Sequence, residues 1–242
     1  MTATGAAKGI HIECNANQLK LIAILAMVVD HTAIVLVPDS FPAMWLLRMI
    51  GRMTAPIMCY FIAEGYYHTS NLKKYMGRLL LIAVIAHIPH NLCLGHDLLQ
   101  IWNATDVMFP LLLGLVALTA WKSQKIHSVL LKLFIVGLCC LLAYSGDWNY
   151  VAVLWILGFG IFHGDVRKQL IAFIAVSSIY LLQPFVYASS LPYISRLGIF
   201  LDVPLFLFYN GLRGKKSKVI QWGFYWFYPL HFLVIYMIGS IL

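Results

Sequence analysis

One feature dominates this sequence: a succession of apolar stretches, most close to the ~20 residues that a helix needs to cross the hydrocarbon core of a bilayer. Nine can be marked, at 19–37, 43–66, 76–94, 106–121, 126–144, 148–163, 168–187, 190–209 and 221–242. The stretches 106–121 and 148–163 are the shortest. Barrel strands would alternate apolar with polar residues; these stretches are apolar all round, so helices are predicted. Together they occupy most of the 242 residues, leaving no room for a separate soluble domain. Composition agrees. Only 11% of residues are charged and 62% are hydrophobic, whereas a soluble domain is about a quarter charged and must cover its surface with polar groups. A soluble enzyme, a disordered chain and a nucleic-acid-binding module are excluded. The predicted fold is an all-α polytopic transmembrane bundle of about nine helices: a single domain over 19–242, preceded by a tail at 1–18.

The basic residues set the orientation. Lys8 and Lys20 lie at the first stretch, Lys73, Lys74 and Arg78 between the second and third, and Lys122 and Lys125 between the fourth and fifth. Arg167 and Lys168 fall between the sixth and seventh, and the run from Arg213 to Lys218 between the eighth and ninth. The intervening connections carry no Lys or Arg but hold Asp39, Asp97 and Asp147. Basic loops stay in the cytoplasm, which predicts N-terminus in, C-terminus out. The net charge of +8 is therefore a topology signal rather than a nucleic-acid footprint.

The first 18 residues read as a cytoplasmic tail. The apolar segment after them contains Asp30-His31, and no small-residue cleavage site follows. Five cysteines form no CxxC pair and no disulfide framework. Adjacent Cys139 and Cys140 read as helix packing.

Ionisable residues inside a bilayer are costly and usually line a cavity or pair with one another. His31 lies roughly 16 Å beyond Lys20 along the first helix. Arg48 and Arg52 in the second, His87, His90 and Asn91 in the third, and His231 in the ninth fall at a similar depth. Each set shares a helix face: Lys20 with His31 three turns on, Arg48 with Arg52, His87 with His90 and Asn91, Tyr228 with His231. Four polar stripes at one depth predict one buried site.

His31 is the candidate for proton transfer, because imidazole titrates near neutrality. Asp30 points about 100° away from it on a helix, which favours pairing with Arg48 or Arg52. Arg52 can stabilise an oxyanion or hold a carboxyl group. Lys20, on the His31 stripe at the cytosolic mouth, suits a phosphate-bearing donor whose acyl group extends upward. Arg78, Arg213 and Lys215 can join it at those phosphates. Glu64, at the cytoplasmic end of the second stretch, reads as site lining, a gate or a bystander. Lys132, Arg196 and Asp202 receive no role beyond possible lining. Two other readings stand beside acyl transfer. One is zinc held by His87 and His90 with His31 or His231, which the Arg pair and Pro89 disfavour. The other is a transporter or an assembly factor without covalent chemistry.

Three segments carry a family resemblance. Leu19-Lys-Leu-Ile-Ala-Ile-Leu-Ala-Met-Val-Val-Asp-His31 resembles the opening helix of the TraX family of membrane acetyltransferases. Arg48-Met-Ile-Gly-Arg-Met-Thr-Ala-Pro56 with Phe61-Ile-Ala-Glu-Gly65 resembles its second helix, and Phe227-Tyr-Pro-Leu-His231 its C-terminal element. The spacing of Lys20 and His31, with ten residues between them, is also similar to that in acyltransferase-3 type membrane acyltransferases that modify surface polymers. The resemblance implies acetyl-CoA as cytosolic donor, a bacterial inner-membrane setting, His31 as base, and Arg52 and His231 near the acyl group; on the residues themselves no metal is expected. It implies an acceptor reached from the outer side, either the N-terminus of a pilin-like protein or a surface glycan.

Overall fold

The computed structural model describes residues 13–38, 40–98, 105–186, 193–215 and 217–241. Lys8, Asp39 and Lys216, used above to assign the faces, lie outside them, as does most of the tail at 1–18. Among the described residues the chain is helical. Two isolated bridges occur among these residues, Cys14 with Tyr209 and Thr105 with Gly146.

Helix α1 (Ala16–Leu36) starts at a capping box in which Asn15 and Gln18 satisfy each other's backbone N–H groups. The second stretch divides into α2 (Met44–Gly51) and α3 (Thr54–His68). The break at Arg52-Met53 has a simple cause: Pro56 has no N–H to return to the Arg52 carbonyl. Then come α4 (Leu72–Leu94), α5 (Met108–Lys122), α6 (Val129–Leu142), α7 (Asn149–Ile161) and α8 (Val166–Val186). Asn71 and Ser128 cap α4 and α6. At the start of α8, Asp165 accepts from the Lys168 backbone N–H and pairs with its ammonium at 3.0 Å. Lys168 thereby holds that carboxyl below its usual range.

The eighth stretch, 190–209, departs from the predicted continuous helix. It is a 3₁₀ segment, Tyr193–Leu201, followed by the short α9 (Asp202–Phe208). Pro204 cannot bond back to the Phe200 carbonyl, which prevents one α-helix from running through. A Cβ at Gly198 would strike the Met49 carbonyl, so the 3₁₀ segment lies tight against α2. Helix α10 (Lys218–Gly239) is capped by Ser217 and continues through Pro229, as α4 continues through Pro89.

Among the described residues three helical segments are long and apolar enough to cross a membrane: Ala16–Leu36, Met44–His68 and Leu72–Leu94. Helices α5, α6 and α7 are apolar but shorter, at 15, 14 and 13 residues. They rise only ~20–23 Å against a ~30 Å hydrocarbon core.

Helix α1 packs on α2, α3 and α10; α4 packs on α10, α3 on α7, and α5 on α7. The α5–α7 seam is close because glycine stands where a side chain would collide: Gly114 against Ile156, and Gly160 against Leu118. The outside is apolar. Leu130, Phe134 and Leu141 on α6 are each more than 60% exposed, and Leu25, Val84, Ile88, Ile171, Leu182 and Met237 also face outward. In water each such side chain would forgo about 1.5–3 kcal/mol of burial, so these faces suit lipid. The five cysteines are free.

Candidate functional site

The bundle turns its charges inward. Asp30, on the buried side of α1, takes both arginines: Arg48 Nη1 donates to Oδ1 at 2.7 Å, and Arg52 Nη2 donates to Oδ2 at 3.1 Å and Oδ1 at 3.3 Å. Arg48 lies one turn before Arg52, which sits at the α2–α3 break, so both reach one carboxylate. Gly51 makes the approach possible, since a Cβ there would collide with the Asp30 side chain. Two guanidinium groups on one carboxylate leave an excess positive charge inside the bundle. Arg48 Nε and Arg52 Nε are buried donors with no hydrogen-bond partner among the described residues.

His31, next along α1, meets His231 of α10. His31 Nδ1 is 2.7 Å from His231 Nε2, and the rings stack at 5.0 Å. His231 Nδ1 lies 3.1 Å from the Phe227 carbonyl, which can only accept. This chain assigns the tautomers of the neutral pair. His231 carries its proton on Nδ1, its Nε2 accepts from His31 Nδ1, and His31 Nε2 keeps its lone pair. Phe232 packs on both His31 and His231, at 4.5 and 4.2 Å.

Helix α4 supplies the third side. His90 is 1% exposed; its Nε2 is 3.0 Å from Asp147 Oδ2 and its Nδ1 2.9 Å from Asn91 Oδ1. Asn91 Nδ2 in turn faces His87 Nε2 at 3.2 Å. His90 meets the edge of Phe232 at 5.1 Å, which links it to the histidine pair.

A cavity of about 40 Å³ opens among these groups. It is lined by Asp30, His31, Thr54, Asp147, Trp148 and Tyr228, with Met27 and Met58 on its apolar side. At ~10–15 Å³ per water it has room for two or three.

The structure thus brings together Asp30, His31, Arg48, Arg52, His90, Asn91, Tyr228 and His231, with His87 at the edge. Lys20, Arg78, Arg213 and Lys215 stand apart from it. Lys20 lies over Phe61 at 4.9 Å and Phe224 at 5.8 Å, with the Arg213 charge close by. Arg78 lies between Tyr75 and Tyr225. Lys215 is exposed, and its carbonyl accepts from Asn17. None of the four lines the cavity.

Glu64 is a correction. It does not line the site around His31; twelve residues beyond Arg52, roughly 18 Å along the helix, it sits with His68 and His163 at the Lys20 end. His87 and His90, weighed above and disfavoured as zinc ligands, do not turn toward a shared metal position among the described residues. Their nitrogens are taken up by Asn91 and Asp147 instead.

Sequence reasoning missed several contributors. Asp147 and Trp148 come from the connection between α6 and α7, where Asp147 counted only as a topology marker. Trp148 lies 5.0 Å beneath Arg52 and 5.2 Å from Tyr180, and Arg196 covers Tyr180 at 4.8 Å. Arg196, which had no assigned role, therefore braces the stack that holds Arg52. Asp106 is 2% exposed, with Oδ2 lacking a partner among the described residues.

Fold and site together define an all-helical membrane protein with an ionised, histidine-rich centre inside the bundle. A family model described as TraX protein matches residues 15–239. The chain is 34% identical over 238 residues to a probable fimbrial assembly protein FimC, serogroup H1, of Dichelobacter nodosus, covering 93% of this chain and 96% of that one. It is also 24% identical over 168 residues to an uncharacterised protein of Rickettsia prowazekii, covering 65% of this chain and 60% of the relative. No solved structure matches. The chain belongs to the TraX family.

Proposed function

We propose that this protein is a multi-pass inner-membrane acetyltransferase that moves an acetyl group from cytosolic acetyl-CoA to an acceptor on the outer side, in service of pilus assembly. The observation that carries the reading is the directed hydrogen-bond chain Phe227 carbonyl–His231–His31, which leaves one basic nitrogen beside buried arginines. The pilus setting rests on the fimbrial assembly name of the Dichelobacter relative. The orientation follows the basic loops, with the N-terminus and the Lys20 end in the cytosol and the C-terminus outside.

In this scheme the phosphates of acetyl-CoA meet Lys20, Arg78, Arg213 and Lys215. The acceptor, a pilin-like N-terminal amine or a glycan hydroxyl, attacks the thioester carbonyl carbon. His31 Nε2 takes its proton. The carbonyl oxygen gains charge that Arg52 stabilises; its Nε is a buried donor with no partner among the described residues. When the tetrahedral intermediate collapses, the carbon–sulfur bond breaks, and the CoA thiolate recovers the proton from the His31 imidazolium. Asp30 fixes Arg48 and Arg52 in position throughout.

A second reading, an assembly factor without covalent chemistry, is favoured by the same fimbrial name. Donor binding separates the two. Purified protein in detergent should bind acetyl-CoA saturably, and Lys20→Ala with Arg213→Ala should weaken that binding. No measurable affinity for acetyl-CoA would leave the assembly-factor reading standing.

A further inference from the structure

At the end of the bundle away from His31, three side chains converge that acyl transfer does not use. Glu64 and His68 are four residues apart on α3, so they project from one face. His163 stands in the turn after α7, the helix packed on α3. Glu64 Oε1 is 3.0 Å from His163 Nε2, and Glu64 Oε2 is 3.4 Å from His68 Nε2. The candidate ligand atoms of the three residues all lie within 4.8 Å of one another. Four ligands at the ~2.0–2.1 Å bond lengths usual for zinc stand about 3.3 Å apart in a tetrahedron. The three groups are therefore already near the spacing that one small cation would impose.

The surroundings hold this geometry. The His163 ring stacks on Tyr67, centroids 3.8 Å apart and 19° between planes. Tyr67 is pinned in turn, its hydroxyl donating to the Gly160 carbonyl at 2.6 Å. The Glu64 side chain is 11% exposed and that of His163 27%, whereas His68 is 66% exposed, so the cluster is walled on one side and open on the other. Two cations stand nearby: Lys20, which interacts with Glu64, and Lys122, whose ammonium donates to the Ile161 carbonyl. Two imidazoles and one carboxylate suit a first-row divalent ion, and three protein ligands leave a position for water or a small ligand.

We propose that Glu64, His68 and His163 form a binding site for a zinc-like divalent cation that ties α3 to α7 and keeps one exchangeable position. This site is separate from His31 and does not depend on the acyl-transfer reading.

The test uses the full chain purified in detergent with a tag that contains no histidine. The protein is stripped with EDTA, dialysed against zinc chloride, and analysed for metal. About one zinc per chain is expected, together with a rise in melting temperature when zinc is restored. His163→Ala and His68→Ala should each lose the metal. His68 is exposed, so its truncation leaves the fold intact and its result stands alone. His96→Ala, an exposed histidine outside the cluster, should keep the metal. Retention of one zinc by His68→Ala, or loss in His87→Ala with retention in His163→Ala, would overturn the site.

Discussion

His31 and His231 form a pair in which a single proton decides the chemistry. The Phe227 carbonyl accepts from His231, and His231 accepts from His31, so the free lone pair falls on His31 Nε2. Replacing His31 by alanine should cut acetyl-CoA turnover by about 10²–10⁴-fold, the usual worth of a general base. His231→Phe keeps the stacked ring but frees His31 to take either tautomer. Its loss of turnover should be smaller than that of His31→Ala, with donor affinity unchanged. Asp30 is a different case. Asp30→Asn leaves two buried guanidinium groups without their counter-charge, which should cost about 3–5 kcal/mol, seen as a lowered melting temperature in detergent. At this scale much was legible in the sequence. Ionisable residues are so expensive in a bilayer that each one points to a site, and Asp30, His31, Arg48, Arg52, His90 and His231 do meet. Asp147 was not legible, because a residue in a polar connection carries no such cost, and Trp148 read as one more apolar residue of the stretch 148–163. What turns Trp148 toward Arg52 is conformational, with positive φ at Trp148 and Asn149, which the sequence does not display.

At the scale of elements, α5 and α7 depend on glycine for their approach. Gly160→Leu should overpack the seam against Leu118 and destabilise by about 1–3 kcal/mol. Gly137→Leu on α6, where nothing lies within 4 Å of an added Cβ, should be neutral. Thermal unfolding in detergent distinguishes them. Helix existence was legible from the apolar stretches, apart from the stretch 190–209. The break at Arg52-Met53 was present in the sequence as Pro56 but hidden by unbroken hydropathy. The 3₁₀ segment at Tyr193–Leu201 was hidden for the same reason: hydropathy reports lipid or core, not the hydrogen-bond register within a helix. Glu64 was read at the right depth, the cytoplasmic end of the second stretch, but depth along a helix fixes only one coordinate and did not name its partners. These are His68 one turn on and His163 in the turn after α7, at the end opposite His31.

For the whole molecule, the account places two polar centres at two depths. One is the Asp30–His31 centre with its small cavity. The other is the Lys20 end, where Glu64, Arg78 and Arg213 gather. Met27, between Lys20 and His31 along α1, and Met58, between Arg52 and Glu64, both line the cavity, so in the proposed scheme a donor arm from the Lys20 end passes these flexible side chains to reach His31. The orientation can be tested with no assumption about chemistry. In a background freed of native cysteines, a cysteine at Arg213 should resist an impermeant thiol reagent added from outside, while one at Asp97 should react. The reverse pattern would invert the bundle.

The central claim is that the His31 centre performs acetyl transfer. The direct measurement is acetyl-CoA turnover by the purified chain in lipid vesicles, read as release of free CoA thiol in the presence of a peptide amine. The wild-type chain should release CoA in step with acetylation of the peptide, and His31→Ala should fall at least about a hundredfold while still binding acetyl-CoA. Undiminished turnover by His31→Ala would contradict the account.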